Sequence, residues 1–397
     1  LAPAARHDAE LAMLLIRSSQ GDTELAQREL SRLKAQADGM AQYWLVASRL
    51  AFDRGATGEA RSAARRGLSM APGDPRFLLL MARADIRLGN LTSAEANTDA
   101  LLEERDNDPL LRIGLAQLYL EEDHLEPARR LLTPLVGEAD APPAAYMLLG
   151  AIAEQEDDVD NALLYYRQVP EGPDFLLSRQ RSASLLIEAD RLLDARAFLR
   201  VERLRHDDAY SDLVMLEVQL LDAEGYERDA DALLNRELAR VPDDGELRYY
   251  RAMRAWQAGD TDTSESDLRQ LVEQQPDNAN ALNALGYTLA DEGDPDRLDE
   301  AAALIQRAYT LDPTNPAVQD SLGWVAYRRG DLTTALRWIE QAWQALPDQE
   351  VAAHLIEVLW ELGRKERARE ILAVATEQFP ERPLIDALLD RRPGLAP

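Results

Sequence analysis

Residues 283–293, NALGYTLADEG, lead into 299–313, DEAAALIQRAYTLDP, and the pattern returns at 320–347 as DSLGWVAYRRGDLTTALRWIEQAWQALP. Each stretch reads as two amphipathic helices joined by a tight turn, because apolar residues recur three and four apart on either side of a glycine. Gly293 and Gly330 permit the positive φ that such a turn needs. Ala301 and Ala335 are small enough for the second helix to approach the first closely, as are Gly286 and Gly323 in the opposing helix. Pro313 and Pro347 then end the second helix, since proline cannot continue it.

Outward from these units the marks recur along the chain. A turn residue stands at Gly21, Gly55, Gly89, Asp123, Asp157, Asp190, Gly225, Gly259, Gly293, Gly330 and Gly363, at intervals of 33–37 residues. Five residues after most of them comes Ala26, Ala60, Ala94, Ala128, Ala162, Ala195, Ala230, Ser264, Ala335 or Ala368. The ninth unit carries an insertion around Asp294–Arg297 that moves its alanine to Ala301. Prolines at 72, 242, 276, 313, 347 and 380 close units. A fixed period of this length, held over about eleven units, is the mark of a stacked helical array.

The pattern resembles the tetratricopeptide repeat family over nearly the whole chain, on Gly286, Ala301, Ala308 and Pro313 and on Gly323, Ala335, Ala342 and Pro347. That resemblance implies an all-α, right-handed superhelical solenoid of about eleven helix-turn-helix units. Units one to five are expected over 1–170 and units six to eleven over 171–381, with a soft joint or a local kink near 170–175, where VPEGPDF interrupts. RPLIDALLDRR suggests a capping helix within 382–397 that turns Leu384, Ile385, Leu388 and Leu389 onto the last unit, followed by a disordered PGLAP tail.

Composition limits function. The chain has 44 basic and 72 acidic residues and a net charge of −28, which disfavours nucleic acid and anionic lipid. It either attracts a basic partner or simply keeps a surface-rich molecule dispersed. There is no cysteine, hence no disulfide, thiolate metal site or thiol nucleophile. No apolar run is long enough to span a bilayer, which predicts a soluble chain. The chain opens at Leu1 rather than Met, and an upstream leader or segment is expected.

No catalytic, cofactor or metal constellation emerges. His7, His124, His206 and His354 fall in different units. His354 and Glu357 share a helix but read as a core-edge pair. Paired carboxylates such as Asp157-Asp158 fall in turns, where they cap helices. Function is therefore expected on the inner wall lined by the first helices. Offsets of ten, six and three residues before each turn give Tyr249, Met253, Trp256, Asn283, Tyr287, Asp320, Trp324, Tyr327, Glu357 and Trp360, with Asn280 a turn earlier. Exposed aromatics would be binding hot spots, each worth roughly 2 kcal/mol or more; packed between helices, the same rings would be core. Trp338 and Trp343, on a second helix, are read as packing. Arg49, Arg76, Arg83 and Arg87 take the inner offsets of units two and three, as an acidic-ligand patch or as solvated and internally paired charges.

NALNALGYTLAD, DSLGWVAYRRGDLTTAL and EVAAHLIEVLWELGR are further similar to envelope tetratricopeptide lipoproteins of Gram-negative bacteria, most of all to the outer-membrane adaptors of carboxy-terminal processing proteases. That resemblance implies a non-catalytic periplasmic scaffold that holds the protease beside its substrates, peptidoglycan cross-link hydrolases. It also implies a lipid anchor, upstream of Leu1, as the sole membrane contact. An assembly factor for polysaccharide export or cell-wall synthesis, and a cytoplasmic co-chaperone, are the alternatives. The second is disfavoured because Lys34 and Lys365 are the only lysines and neither is placed for a carboxylate clamp.

Overall fold

The computed structural model describes residues 3–137 and 140–395 and, among them, is helical throughout, with 23 α-helices. Eleven consecutive pairs account for 22 of them. The first six are α1 (Pro3–Ser19) with α2 (Thr23–Ala37), α3 (Ala41–Asp53) with α4 (Thr57–Met70), α5 (Pro75–Arg87) with α6 (Leu91–Glu103), α7 (Pro109–Leu120) with α8 (Leu125–Leu132), α9 (Pro143–Gln155) with α10 (Val159–Tyr166), and α11 (Phe175–Glu188) with α12 (Leu192–Arg205). The remaining five are α13 (Tyr210–Ala223) with α14 (Glu227–Arg240), α15 (Gly245–Gln257) with α16 (Thr261–Gln274), α17 (Ala279–Glu292) with α18 (Leu298–Leu311), α19 (Pro316–Arg328) with α20 (Leu332–Ala345), and α21 (Gln349–Glu361) with α22 (Lys365–Gln378). The last helix, α23 (Pro383–Arg391), stands alone.

The punctuation acts as its chemistry requires. All eleven turn residues have positive φ, from 58° at Asp123 and Asp190 to 95° at Gly21. Ala26, Ala60, Ala94, Ala128, Ala162, Ala230, Ser264, Ala301, Ala335 and Ala368 are fully buried between paired helices. The six closing prolines each stand two residues past the last residue of a second helix. Asp158, Asp260 and Asp331 accept backbone N–H bonds at the start of a second helix, and Asp74, Asp108, Asn278 and Asn315 do so at the start of a first, each cap adding about 1 kcal/mol.

The chain divides into two compact units, residues 1–198 and 199–397. The division falls inside α12, and the 170–175 segment lies within the first of the two. That segment is tied down: Arg179 is buried, its Nη1 donates to the carbonyls of Tyr166 and Val169, and Val169 and Phe175 are buried beside it. In the second unit α23 packs on α21 and buries Ile385 and Leu388. The expected capping face needs two corrections. Leu384 points to solvent, because it sits off the stripe that Ile385 and Leu388 form. The tail is also ordered through Leu395: Pro393–Leu395 form a 3₁₀ turn, Leu395 is buried, and Arg369 donates to the Gly394 carbonyl. Ala396 and Pro397 lie outside the described residues.

Candidate functional site

In the second unit, three successive first helices bring polar and aromatic side chains to one wall. On α17, Tyr287 and Asp291 lie one turn apart; on α19, Asp320 and Trp324 do; on α21, Glu350 and His354 do. Relative to their turn glycines, these pairs step back by about one helical turn from each unit to the next. The inner stripe therefore runs diagonally across the helices. This is how Tyr287 reaches past α19 to α21, donating its hydroxyl to Glu350 Oε1 at 2.6 Å.

His354 is the hub of this wall. Its Nδ1 donates to Asp320 Oδ2 at 2.9 Å, and its Nε2 lies 3.4 Å from the Tyr287 hydroxyl. The ring stacks on Trp324, with centroids 4.0 Å apart and planes 18° from parallel. Trp324 is stacked on Tyr327 at 4.9 Å, and its indole N–H donates to Asp291 Oδ1 at 3.1 Å. Trp256 of α15 meets Tyr287 edge-on at 6.1 Å. Arg328 lies over the Trp324 ring.

Charge explains the titration of the hub. Burial works against the His354 imidazolium, but Asp320, through its charge and hydrogen bond, outweighs it together with Glu350 and Asp291, so the ring is held above 6.5. Burial pushes the Glu350 carboxyl up. The Tyr287 phenol is pushed far above its ordinary value, by burial first and by Glu350 and Asp291 next. A buried His–Asp pair is two-thirds of a hydrolytic triad. Here the ring's far nitrogen faces a phenol already committed to a carboxylate, so the pair ties α19 to α21. Among the described residues no group of three or more His, Cys, Asp or Glu side chains is arranged to hold a metal.

The predicted wall residues separate. Tyr249, Met253, Trp256, Asn283, Tyr287 and Tyr327 are half-buried, and Asn280 is exposed. Trp324 is 5% exposed and Asp320 likewise, so Trp324 is a packed ring rather than an exposed hot spot. Glu357 receives Arg392 at 3.2 Å, and Trp360 packs beneath Gly394 with Lys365 over its face. These two belong to the C-terminal cap. Trp338 packs edge-on against Tyr309, as its place on a second helix implies. Asp291 and Glu350 lie outside the uniform offsets used in every unit, and His354, read as a core-edge partner of Glu357, pairs with Asp320 instead. A stripe shifted one turn per unit would have found all three.

One model described as tetratricopeptide repeat matches residues 11–75, 113–174 and 249–316, and a second of the same description matches 51–112 and 326–391. The chain belongs to the tetratricopeptide repeat family. It is 41% identical over 212 residues to the TPR repeat-containing protein PA4667 of Pseudomonas aeruginosa, an alignment covering 53% of this chain and 36% of that protein. The match thus spans little more than a third of the relative's length. Among solved structures, a complex of Naa15 and Naa10 bound to HypK aligns over 92% of this chain and 62% of that one, with TM-score 0.45 and 18% identity. The thermophilic tetratricopeptide protein TTC0263 of Thermus thermophilus aligns over 47% of this chain and 98% of its own, with TM-score 0.40 and 23% identity.

In the first unit of this tetratricopeptide array the four arginines have different surroundings. Arg76 is exposed and folds back onto Asp74, the N-cap of its own helix. Arg83 and Arg87 lie over the Phe52 ring, 5.0 and 5.7 Å from its centroid, and Arg87 pairs with Glu122 at 3.4 Å. Arg49 is exposed. The tetratricopeptide fold presents a protein-interaction scaffold, and among the described residues no helix is long and apolar enough to cross a membrane.

Proposed function

We propose that the chain is a non-catalytic adaptor whose second-unit wall holds a protein client beside an enzyme bound elsewhere on the scaffold. The observation that carries this is the half-buried set Tyr249, Met253, Trp256 and Asn283 on α15 and α17, continuous with the diagonal stripe through α19 and α21. Half-buried aromatics on the wall add contact area at low entropic cost, while Asn283 has amide N–H donors for an extended backbone.

The finer reading follows the sequence resemblance. The bound enzyme is a carboxy-terminal processing protease, the clients are peptidoglycan cross-link hydrolases, and the array works in the periplasm on a lipid anchor upstream of Leu1. Tethering acts through effective concentration, up to about millimolar for a short link. Support for this finer reading comes from the C-terminal motifs; the likeness to PA4667 supports the tetratricopeptide scaffold.

Affinity capture from envelope extract tests both levels. Because Trp324 is core, the wall is probed at Met253→Glu with Trp256→Ala, with helicity matched by circular dichroism. Protease and hydrolases should co-purify with the wild type, and the hydrolases should be lost with the variant. Capture of synthesis or export components instead would sink the protease reading and leave the scaffold standing.

A further inference from the structure

Three carboxylates converge on the diagonal stripe, and each engages only part of its capacity. Asp291 accepts from the Trp324 indole, Glu350 from the Tyr287 hydroxyl, and Asp320 from His354. Among the described residues no arginine or lysine forms an ion pair with any of them; Arg328 lies over the Trp324 ring instead. Asp320, 5% exposed, keeps its Oδ1 buried without a partner, and Asn283 Oδ1 is left in the same state one turn before Tyr287. A buried acceptor without a donor costs about 1–3 kcal/mol. The wall is thus short of N–H donors and of positive charge, and it is faced with the half-buried aromatic rings of Trp256 and Tyr287, which favour a cation over their faces.

We propose that this wall takes a client segment bearing a basic side chain, whose cation sits against Asp291 and Glu350 and relieves His354 as the counter-ion of the cluster. This rests on the reading of the second unit as a protein-binding wall and names the partner's chemistry. It fits charge complementarity: the sites that would repel an acidic segment, Asp291, Asp320, Glu350 and neighbouring Glu357, come from α17, α19 and α21. The cations beside them are His354, Arg328, Arg391 and Arg392, and Arg391 and Arg392 are already paired with Glu357. The carboxylate-terminated ligands that arginine or lysine walls select are excluded here by the same charges.

Proton linkage follows from the exchange. While His354 is charged, the cluster already has its cation, so a basic side chain binds more weakly. Raising the pH through the region above 6.5, where His354 loses its proton, strengthens binding of the basic probe.

The test uses the full chain labelled with 5-fluorotryptophan, with Trp256 and Trp324 signals assigned by Trp→Phe substitution. The probes are N-acetyl-L-argininamide and its uncharged isostere N-acetyl-L-citrullinamide. The arginine probe should move both signals with an affinity about tenfold above the citrulline probe, more so as pH rises. Asp291→Asn with Glu350→Gln should erase the difference. If the double variant does not fold, Asp291→Asn alone should shrink it several-fold. Equal response to both probes, or a preference that survives these substitutions, overturns the proposal. If that happens while client capture still depends on Met253 and Trp256, the cation assignment fails and the scaffold reading does not.

Discussion

His354 Nδ1 lies 2.9 Å from Asp320 Oδ2, in a contact that joins the first helices of the last two units at a depth where neither residue exposes more than 6% of its surface. A buried pair of this kind is costly to break, about 3–5 kcal/mol when one partner is removed, because the other is left charged and unpaired. The ring is also stacked on Trp324, so the pair fixes the aromatic wall as well as the helix spacing.

His354 binds its proton more tightly folded than unfolded, since its pKa is raised above 6.5. Its contribution to stability is therefore complete below that value and is lost as pH rises through the raised one. Glu350, raised above 4.5 by burial, adds a loss of the same sign that begins at lower pH. Urea midpoints followed by tryptophan fluorescence should fall as pH climbs past 6.5. His354→Gln should lower stability and flatten that part of the profile while the Glu350 part persists. A wild-type midpoint that rises over the same interval contradicts the assignment.

How much of this was legible beforehand differs between fold and site. The turn residues, small residues and prolines each answer a local requirement, a positive φ, a close approach or a missing N–H, and local requirements are written in single positions. Thus Asp123 and Asp190 were readable as turns although they are not glycine. The wall depends instead on how one helix slides against the next. Trp324 and Glu357 occupy equivalent offsets, yet one stacks on His354 and the other meets Arg392. No property of either residue alone distinguishes them. The tail was misread for a related reason: Leu395 looks like a loose end until Trp360 is seen packed beneath Gly394.

Gly323 supplies a packing prediction. Glycine to alanine inside a helix ordinarily gains about 1 kcal/mol. Here an added Cβ would lie 2.3 Å from Ile339 Cγ1 and 3.0 Å from the Ala335 carbonyl oxygen, and overpacking of this kind costs about 1–3 kcal/mol. Gly323→Ala should therefore lower Tm despite its better helix propensity. Ile339→Ala should be less harmful on that background than in the wild type, which a double-mutant cycle would read.

Arg179 holds the irregular segment of the first unit. It lies 4.0 Å over the Phe175 ring and donates to the Val169 carbonyl at 2.8 Å, the Tyr166 carbonyl at 3.2 Å and Ser178 Oγ at 2.8 Å. Arg179→Met keeps much of the volume and leaves buried acceptors bare, at a cost of roughly 1–3 kcal/mol each. Hydrogen exchange should accelerate over residues 166–179 while the amides of α17–α22 stay protected. Unchanged protection at 166–179 would show that the segment holds without it.

The turns allow backbone strain to be separated from packing. Asp190 adopts φ 58° without being glycine, and Gly363 adopts 73° with open space where a Cβ would go. Left-handed backbone costs an L-residue about 1–2 kcal/mol, somewhat less for Asp, against which a glycine adds unfolded-state entropy of about 0.5–1 kcal/mol. Asp190→Gly should therefore be neutral or gain a few tenths of a kcal/mol, while Gly363→Ala should lose about 1 kcal/mol although it touches nothing. The two are read together as shifts in thermal midpoint. If Gly363→Ala is stabilising, the left-handed turn is not what punctuates the repeat, and the eleven positive φ values lose their explanatory role.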